Sequence, residues 1–292
     1  MSKKIERIFL LNDLPHSLSY RKKEEIRQGY LSFDDRNKVH IRQKGARFSK
    51  IVKTGSKENR KKIKTELSQK EFKTYWHSTG KSQLVKTRYH YSWEGYKLMV
   101  DQFHGRLEGL FTAEIEFKNE RKARQFMEPP FFREEISFDP RYKNHYLAEL
   151  PENQRQLITA SGISHSLIGT LPYIKEGERK KVILVTKKNG LQWIFPKGQQ
   201  ENRMTYPEVA RMEAEEEAGI KGIITARPIR LPYVKSGRTY NLLAYPMEIN
   251  TVLNNWQEME ERQRKIVSLQ KAYKLSDQLS VHCGLQYLEQ LI

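Results

Sequence analysis

Cysteine is nearly absent from this chain, because Cys283 is the one cysteine in 292 residues. A single thiol cannot form an internal disulfide, and it cannot supply a zinc site of the CxxC type. We expect Cys283 to be a buried core residue. The chemistry of the protein must therefore come from other side chains.

Long apolar runs are missing as well. No run approaches the roughly 18 apolar residues that a transmembrane helix needs, and the N-terminal segment is too polar for a secretory signal. The common nucleotide-binding loops, GxxxxGK[ST] and GxGxxG, are absent, as are the HxxxH and HExxH spacings of helical zinc sites. The sequence predicts a soluble protein of the cytoplasm with no membrane partner.

Positive charge is in excess. The chain has 53 Lys and Arg against 35 Asp and Glu, a formal net charge of +18, and the first hundred residues hold most of that excess. Clustered cations attract polyanions, so the distribution favours either a nucleic acid or a small phosphate-rich molecule as the partner. Solvated lysines that only confer solubility would give the same count. The positions of the charges must therefore distinguish an anion-binding surface from an ordinary solvated one.

The length predicts two domains. Residues 1–150 have the pattern of strands separated by polar loops, with one amphipathic helix over 119–127. The polar segment 151–163 is the predicted linker. Residues 164–292 alternate strand-like runs with two helical patterns, over 207–218 and 277–291, which is typical of an α/β domain.

Charged side chains in the first domain recur at spacing two, which places them on one face of each predicted strand. For any one pair, a solvated face is the simplest explanation. Several such groups together favour an antiparallel barrel whose interior charges are balanced by a bound phosphate or metal, because unpaired buried charges are costly. The groups are Lys4 with Glu6, His40 with Arg42, Lys62 with Lys64 and Glu66, Lys86 with Arg88, and Glu114 with Glu116.

An ordered series of short motifs resembles the CYTH family, which includes inorganic and thiamine triphosphatases. The series comprises Ile5-Glu6-Arg7, Gln28 to Ser32, Ile41-Arg42, Lys53, Lys86 to Tyr89, Val100 to Phe103, Glu114 to Phe117 and Arg141 to Asn144. The resemblance implies an α+β domain built on an antiparallel β-barrel, the triphosphate tunnel. It also implies two sets of site residues, namely the substrate-binding cations Arg42, Lys53, Lys86, Arg88 and Lys143, and a residual metal site of Glu6, Glu114 and Glu116.

The chain departs from that family at the expected metal ligands. The opening family motif ExExK falls on Lys4, Glu6 and Ile8, and Lys62 and Lys64 stand where the resemblance predicts a second acidic pair. Ammonium groups do not ligate a hard cation, and they repel it. We therefore expect the tunnel to bind phosphates while its own catalysis is weakened or lost.

A helix is predicted over 206–218 in the second half. Its start and stop signals are a capping box, a proline in the first turn and a glycine after the last periodic residue: Thr205 with Glu208, Pro207 and Gly219. Glu213, Glu216 and Glu217, at i, i+3 and i+4, place three carboxylates on one helix face. A solvated acidic helix has the same pattern, but the cluster also suits a hard divalent cation.

This segment is similar to the Nudix box, Gx5Ex7REUxEExGU, in which U is a bulky aliphatic residue. Gly198 and the three glutamates stand in register with the box. Met204 replaces its first glutamate, and Met212 replaces the arginine that orients the other glutamates. The substitutions put catalytic efficiency in question more than metal binding.

The flanking segments 193–198 and 256–265 resemble one group of Nudix enzymes, those that act on diphosphoinositol polyphosphates and dinucleoside polyphosphates. The resemblance implies an αβα sandwich around a mixed sheet, with Mg²⁺ or Mn²⁺ as the cofactor. It implies Glu213, Glu216 and Glu217 as catalytic residues and metal ligands, Glu201 as a further ligand and Lys197 as a phosphate contact. Three residues stay open as the general base: Glu213, Glu258 and Glu260.

Two functions of different kinds follow. In the first, a Nudix-type pyrophosphohydrolase cleaves inorganic polyphosphate, a diphosphoinositol polyphosphate or a dinucleoside polyphosphate, while the cationic tunnel binds the phosphates. In the second, both sites are inactive, and the protein is a sensor of a polyphosphate, a nucleotide or the triphosphate end of an RNA. Two phosphate-binding domains on one chain favour a shared small ligand, with nucleic acid as the alternative partner.

Overall fold

The computed structural model describes residues 5–34, 37–55, 59, 61–159, 167–177, 179–188, 190, 192–201 and 203–292. The strands are β1 Ile5–Leu11, β2 Lys22–Phe33, β3 Asn37–Lys44, β4 Arg47–Thr54, β5 Lys61–Leu67, β6 Gln83–Trp93, β7 Tyr96–His104, β8 Phe111–Phe117, β9 Leu167–Glu176, β10 Arg179–Thr186, β11 Trp193–Ile194, β12 Lys197–Gly198, β13 Ile220–Ile224, β14 Ile229–Lys235, β15 Arg238–Val252 and β16 Arg264–Ser268. The helices are α1 Gln69–Ser78, α2 Glu120–Arg124, α3 Asn144–Glu149, α4 Arg155–Ile158, α5 Tyr206–Ala218, α6 Leu269–Leu275 and α7 Leu279–Leu291. In the described part of the chain, no helix combines the length and hydropathy needed to cross a bilayer.

The chain divides into two compact units. The first contains Met1–Phe117, Glu128–Arg133 and Pro140–Ala160, and the second contains Lys118–Met127, Glu134–Asp139 and Ser161–Ile292. The described part of the predicted linker, 151–159, includes α4 and belongs to the first unit. The domain boundaries given above stay a prediction.

The first unit is built on an antiparallel sheet of eight strands in the order β1-β8-β7-β6-β2-β3-β4-β5. Alternate residues of the strands form its apolar face, on which Phe9, Val100 and Ala113 are fully buried. Phe9 stacks on Phe132 with the ring centroids 4.5 Å apart. The other face carries most of the buried and half-buried ionisable residues, whereas among the described residues the apolar face has exposed charges only toward β2 and β5, such as Lys23 and Lys61.

The predicted antiparallel sheet is confirmed, but a closed barrel is not seen. Among the described residues, β1 and β5 are the two edges of the sheet and do not pair with each other. Six of the seven residues of β5 are exposed, including Ile63. This strand therefore lacks the apolar face that buries a strand against a neighbouring layer.

The second unit is built on a mixed sheet in which β15 pairs parallel with β9 and antiparallel with β13 and β14. Alternate residues of β10 face different helices. Val182 and Leu184 lie in one apolar cluster with residues of α7, whereas Ile183 and Val185 lie in another with residues of α5. The sheet is therefore covered by helices on both faces. Cys283 of α7 is buried in the first of these clusters, as predicted.

Two helix predictions need correction. The helix predicted over 119–127 is α2, which begins after the Asn119 cap and ends at Arg124, since Gln125 is already the C-cap. The single C-terminal helix predicted over 277–291 begins at Leu279, and a separate helix, α6, precedes it after the Ser268 cap. The α5 prediction is confirmed at both ends.

Candidate functional site

One face of the first sheet, which we call the charged face, collects ionisable side chains from all eight strands. Residues that lie directly opposite each other on paired strands share a face. By this register the charged face includes Glu6, Lys22, Glu24, Lys38, His40, Arg42, Lys44, Lys53, Lys62, Lys64, Glu66, Lys86, Arg88, His90, Asp101, Glu114 and Glu116. The same-face spacing predicted from the sequence is therefore present for these residues, and Lys4 lies outside the described residues.

Asp101 on β7 holds two of the predicted phosphate-binding cations. Lys86 Nζ donates to Asp101 Oδ2 at 2.7 Å, and Arg88 donates to both carboxylate oxygens, at 2.6 and 2.7 Å. Burial opposes the charge of Asp101, but Lys86 and Arg88 outweigh it and lower the pKa of this carboxyl to about 2. Burial also lowers the pKa of Lys86. The two cations are thus fixed by one buried anion before any ligand binds.

Glu24 forms a second anionic centre on the charged face. Its carboxylate lies 2.7 Å from His90 Nε2 and accepts hydrogen bonds from Lys44 at 3.1 Å and Lys22 at 3.3 Å. Burial raises the pKa of Glu24, but the hydrogen bonds from His90 and the two lysines prevail and lower it to about 2. This carboxylate is therefore ionised at neutral pH and fixes the β2, β3 and β6 side chains around it.

Three carboxylates meet at the β1 and β8 end of the charged face. Glu6 and Glu116 lie directly opposite each other, and one oxygen from each of Glu6, Glu114 and Glu116 lies within 4.8 Å of the other two. Arg88 also reaches Glu114, with Nη2 3.3 Å from the carboxylate. The structure brings together the three residues of the predicted residual metal site, and their role as ligands stays a prediction.

The other predicted cations differ in position. Arg42 and Lys53 lie half-buried on β3 and β4. Lys143 is exposed at the N-cap of α3, off the sheet. Its neighbour Asn144, which the sequence analysis did not single out as a site residue, accepts a hydrogen bond from Lys86 at 3.2 Å.

The acidic helix α5 of the second unit is capped at both ends. The Glu208 carboxylate accepts hydrogen bonds from the backbone and hydroxyl of Thr205, both at 2.7 Å. At the other end Gly219 takes the left-handed conformation, with φ 59°, and Arg264 donates to the carbonyl oxygens of Ala218 and Gly219. These caps fix where the helix begins and ends, and hence which way its glutamates point.

Glu213 lies directly over the backbone of Gly198. A Cβ atom added to Gly198 would be 1.6 Å from Glu213 Oε1, so only glycine leaves room for this carboxylate. Burial, together with the negative charges of Glu217 and Glu216, raises the pKa of Glu213 to about 7. The helix therefore concentrates negative charge at this point.

Glu217 is held from two sides. Its carboxylate accepts a hydrogen bond from the backbone N–H of Lys197 at 2.9 Å and another from Arg262 Nη2. The Arg262 guanidinium, itself buried, also donates to Glu258 at 2.5 Å and to the carbonyl oxygen of Thr186 at 2.8 Å. Arg262 thus orients Glu217 from a segment outside α5.

In the sequence, Arg262 belongs to a basic cluster in the flanking segment 256–265, with Arg264 and Lys265, and that position alone assigns it no role. Each arginine or lysine of that cluster has a structural contact: Arg264 caps α5, and Lys265 Nζ lies 4.5 Å from the centroid of the Trp193 ring. Met212 stands where the Nudix box has an arginine that contacts the glutamates. Its presence indicates that an arginine elsewhere in the chain makes this contact, and Arg262 could have been identified on that basis.

The remaining predicted residues are placed as follows. Lys197 Nζ lies 5.0 Å from the centroid of the Tyr233 ring, and burial lowers the pKa of this lysine. Glu201 is exposed beyond β12. Met204, at the position of the first box glutamate, packs against an apolar cluster that includes Val209 and Tyr245. That position therefore contributes to the core in this chain.

Two of the open candidates for the general base also have defined surroundings. Glu258 is bound by Arg262 and by Lys188 at 2.8 Å, and these partners overcome burial to lower the pKa of its carboxyl. Glu260 is exposed. Glu258 adjoins the α5 glutamates, because its backbone N–H donates to the carbonyl oxygen of Glu216 at 3.1 Å and it shares Arg262 with Glu217.

The α5 glutamates suit a hard divalent cation. All the donors are carboxylate oxygens, which Mg²⁺ and Mn²⁺ prefer. The raised pKa values of Glu213 and Glu217 show that burial and crowded negative charge penalise ionisation there, a penalty that a bound cation would relieve. In the described part of the chain, however, only Glu6, Glu114 and Glu116 form a group of three with ligand atoms within 4.8 Å.

No protein-family model matches the chain. An inorganic triphosphatase of Nitrosomonas europaea is 33% identical over 146 residues, covering 49% of this chain and 95% of that protein. An inorganic triphosphatase of Acetivibrio thermocellus is 33% identical over 155 residues, covering 52% of this chain and 96% of that protein. A crystal structure of an inorganic triphosphatase, 33% identical, covers 51% of this chain and 95% of its own, with a TM-score of 0.45.

The C-terminal region is similar to Nudix hydrolases. Mitochondrial Nudix hydrolase 13 of Arabidopsis thaliana is 28% identical over 106 residues, which are 32% of this chain and 52% of that relative. The chain thus spans about half the length of this relative. The structure of a C. elegans Ap4A hydrolase, 20% identical, covers 43% of this chain and 96% of its own, with a TM-score of 0.37.

Proposed function

Because the chain belongs, through its N-terminal half, to the inorganic triphosphatase family of the CYTH tunnel fold, we propose that it hydrolyses phosphoanhydride bonds in a polyphosphorylated small molecule. The observation that carries this proposal is the charged face, on which cations from neighbouring strands lie in register. A chain of phosphates offers negative charge at each repeat, so it can satisfy such a row where a single anion cannot.

Binding is assigned to the charged face. Arg42, Lys53, Lys86 and Arg88 hold the phosphate oxygens, and Lys143 contributes from the N-cap of α3. Asp101 keeps Lys86 and Arg88 in fixed positions, so less side-chain entropy is lost when the ligand binds. The fixed arrangement supports recognition of a ligand without a large rearrangement.

Hydrolysis is assigned to the α5 glutamates. Glu213, Glu216 and Glu217 would hold Mg²⁺ or Mn²⁺, which supplies a Lewis acid for the phosphoanhydride and activates water. Arg262 and the Lys197 N–H orient Glu217, and Gly198 leaves the space that Glu213 occupies. Lys197 contributes positive charge toward the substrate, and Glu201 is a further ligand candidate.

A second location for the reaction has one observation in its favour. Glu6, Glu114 and Glu116 present three carboxylate oxygens close together on the charged face itself. These residues could hold a cation beside the bound phosphates. The lysines at positions 62 and 64 and the isoleucine at position 8 favour the α5 site over this one, since each replaces a group that the family uses.

The test is release of phosphate by the purified chain with Mg²⁺ or Mn²⁺. The substrates are inorganic tripolyphosphate, longer linear polyphosphate, a dinucleoside polyphosphate and a diphosphoinositol polyphosphate. We expect release from at least one of them, and none when EDTA is present. Binding without release from any substrate would contradict hydrolysis and support the sensor function.

A further inference from the structure

The β3, β4 and β5 end of the charged face carries a row of cations that lie directly opposite one another. Lys38 lies directly opposite Lys53, and Lys53 directly opposite Lys62. Lys64 follows on the same face of β5, opposite Ile51. Like charges in directly opposed positions destabilise a sheet, so this row needs an explanation.

Elsewhere on the charged face, cations are paired with carboxylates of the same face. Lys86 and Arg88 share Asp101, and Lys44 is paired with Glu24. In contrast, Lys62 and Lys64 form no ion pair with any residue that the structure describes, although they lie on the same face. The positive charge at the β5 edge is therefore available to an external anion.

His40 provides an independent observation beside this row. It is 6% exposed, and its Nδ1 has no hydrogen-bond partner in the described part of the chain. The Arg42 Nε, also buried, has no partner there either. Because buried polar groups in folded proteins are nearly always satisfied, two neighbouring buried nitrogens without one indicate a missing ligand.

The electrostatic environment of His40 agrees with this. Burial, together with the positive charges of Lys53, Arg42, Lys62 and Lys38, lowers the pKa of His40 to about 4. The imidazole therefore stays neutral next to four cations. A polyanion bound there would reverse the potential that the ring experiences.

We infer that Lys53, Lys62 and Lys64, together with His40 and Arg42, form a phosphate subsite for the far end of a linear polyphosphate chain. The inference rests on the proposed function and makes the substrate class more specific. Four strand spacings of about 4.8 Å separate β6, with Lys86 and Arg88, from β5, with Lys62 and Lys64. One phosphate group reaches only part of this face, whereas a linear chain can contact both ends.

The subsite gives a function to the two lysines that replace expected carboxylates. Lys62 and Lys64 stand where the family resemblance predicts an acidic pair. Two ammonium groups at the same place attract phosphate oxygens instead of a metal ion. The subsite thus lengthens the phosphate-binding surface of the charged face toward its open edge.

The experiment measures binding of tripolyphosphate and of longer linear polyphosphate by calorimetry, with EDTA present so that nothing is hydrolysed. The test variant is Lys62→Gln with Lys64→Gln. The matched control is Lys23→Gln with Lys61→Gln, which removes two exposed lysines from the opposite face of the same sheet. We expect the test variant to bind the long chain at least about tenfold more weakly, and the control to stay within about twofold of the unsubstituted protein.

Each other outcome overturns the subsite. Equal affinity in the test variant and the unsubstituted protein, or an equal loss in the control, would show that Lys62 and Lys64 contribute no specific contact. If, at the same time, Lys86→Gln with Arg88→Gln abolishes binding, the proposed function stands and only the subsite fails. If the unsubstituted protein binds no polyphosphate at all, the subsite and the binding part of the proposed function fail together.

Discussion

Arg262 and Glu217 form a buried ion pair that joins the segment before β16 to helix α5. The two residues are 45 positions apart in the sequence. Because Met212 replaces the arginine expected on the helix itself, Arg262 supplies the guanidinium from another part of the fold. Glu217 is oriented by this pair and by the Lys197 N–H, so its position does not depend on an arginine in α5.

Substitution of Arg262 is expected to weaken metal binding. Arg262→Met removes the partner of Glu217, and loss of such a partner next to a metal ligand typically costs about 10–100-fold in affinity. Titration of Mn²⁺ followed by electron paramagnetic resonance measures this directly, and circular dichroism verifies that the variant is folded.

Two further variants make this test specific. Arg262→Lys keeps the charge but loses the planar fork, so we expect an intermediate affinity. Arg211→Met removes an exposed arginine from α5 and should leave Mn²⁺ affinity unchanged. Unchanged Mn²⁺ affinity in Arg262→Met would refute a positioning role for Arg262.

Gly198→Ala is expected to reduce phosphate release with little loss of stability. The new Cβ would meet the carboxylate end of Glu213, which can rotate away at small cost. A displacement of about 1 Å at a catalytic group can lower the rate by about 10²-fold. Steady-state phosphate release and the melting temperature are the two measurements. Gln199→Ala, at the exposed neighbouring position, is the control, and equal rates for both variants would contradict the assigned role of Glu213.

Glu24 should make stability depend on pH below neutrality. Its pKa of about 2 in the folded protein lies below the ordinary value of 4.5, so its contribution is complete above pH 4.5 and is lost as the pH falls toward 2. We expect Glu24→Gln to lower the free energy of unfolding by up to about 2 kcal/mol at pH 7, because two of its partners are exposed lysines that solvent screens.

Urea unfolding of both proteins at pH 7 and at pH 3 measures this dependence. The difference between Glu24→Gln and the unsubstituted protein should shrink at pH 3. Glu25→Gln is the matched control, since Glu25 is exposed on the opposite face of β2. A pH dependence as large for the control as for Glu24→Gln would rule out the Glu24 cluster as the cause.

Local patterns predicted the parts of the site that lie within one element. The capping box and Gly219 correctly predicted where α5 begins and ends. The spacing of two correctly predicted that residues such as Lys86 and Arg88 share one face of their strand. Both features depend only on neighbouring residues, because side-chain direction in a helix or strand follows a fixed period.

Partners on other elements could not be predicted in this way. Asp101 meets Arg88 through the β6 and β7 register, and Arg262 meets Glu217 through the packing of a distant segment. In the sequence, Asp101 is only one residue of a family motif, and no local pattern assigns a role to Glu24. The degree of closure of the barrel could not be predicted in this way either, since pairing between the first and last strands of a sheet depends on its overall curvature.

In the proposed function, the charged face binds the substrate and the α5 glutamates carry out its hydrolysis. Phosphate release is compared among the unsubstituted protein, Glu216→Gln with Glu217→Gln, and Glu6→Gln with Glu116→Gln. Glu215→Gln, an exposed position on the same helix, is the control for loss of a carboxylate from α5.

We expect Glu216→Gln with Glu217→Gln to lower metal-dependent phosphate release by at least about 10²-fold. Binding of the substrate in EDTA should be unchanged, and the Glu215→Gln control should stay active. The opposite result would be full activity in Glu216→Gln with Glu217→Gln, combined with loss of release in Glu6→Gln with Glu116→Gln. The reaction would then take place on the charged face, and the catalytic role proposed for the α5 glutamates would be wrong.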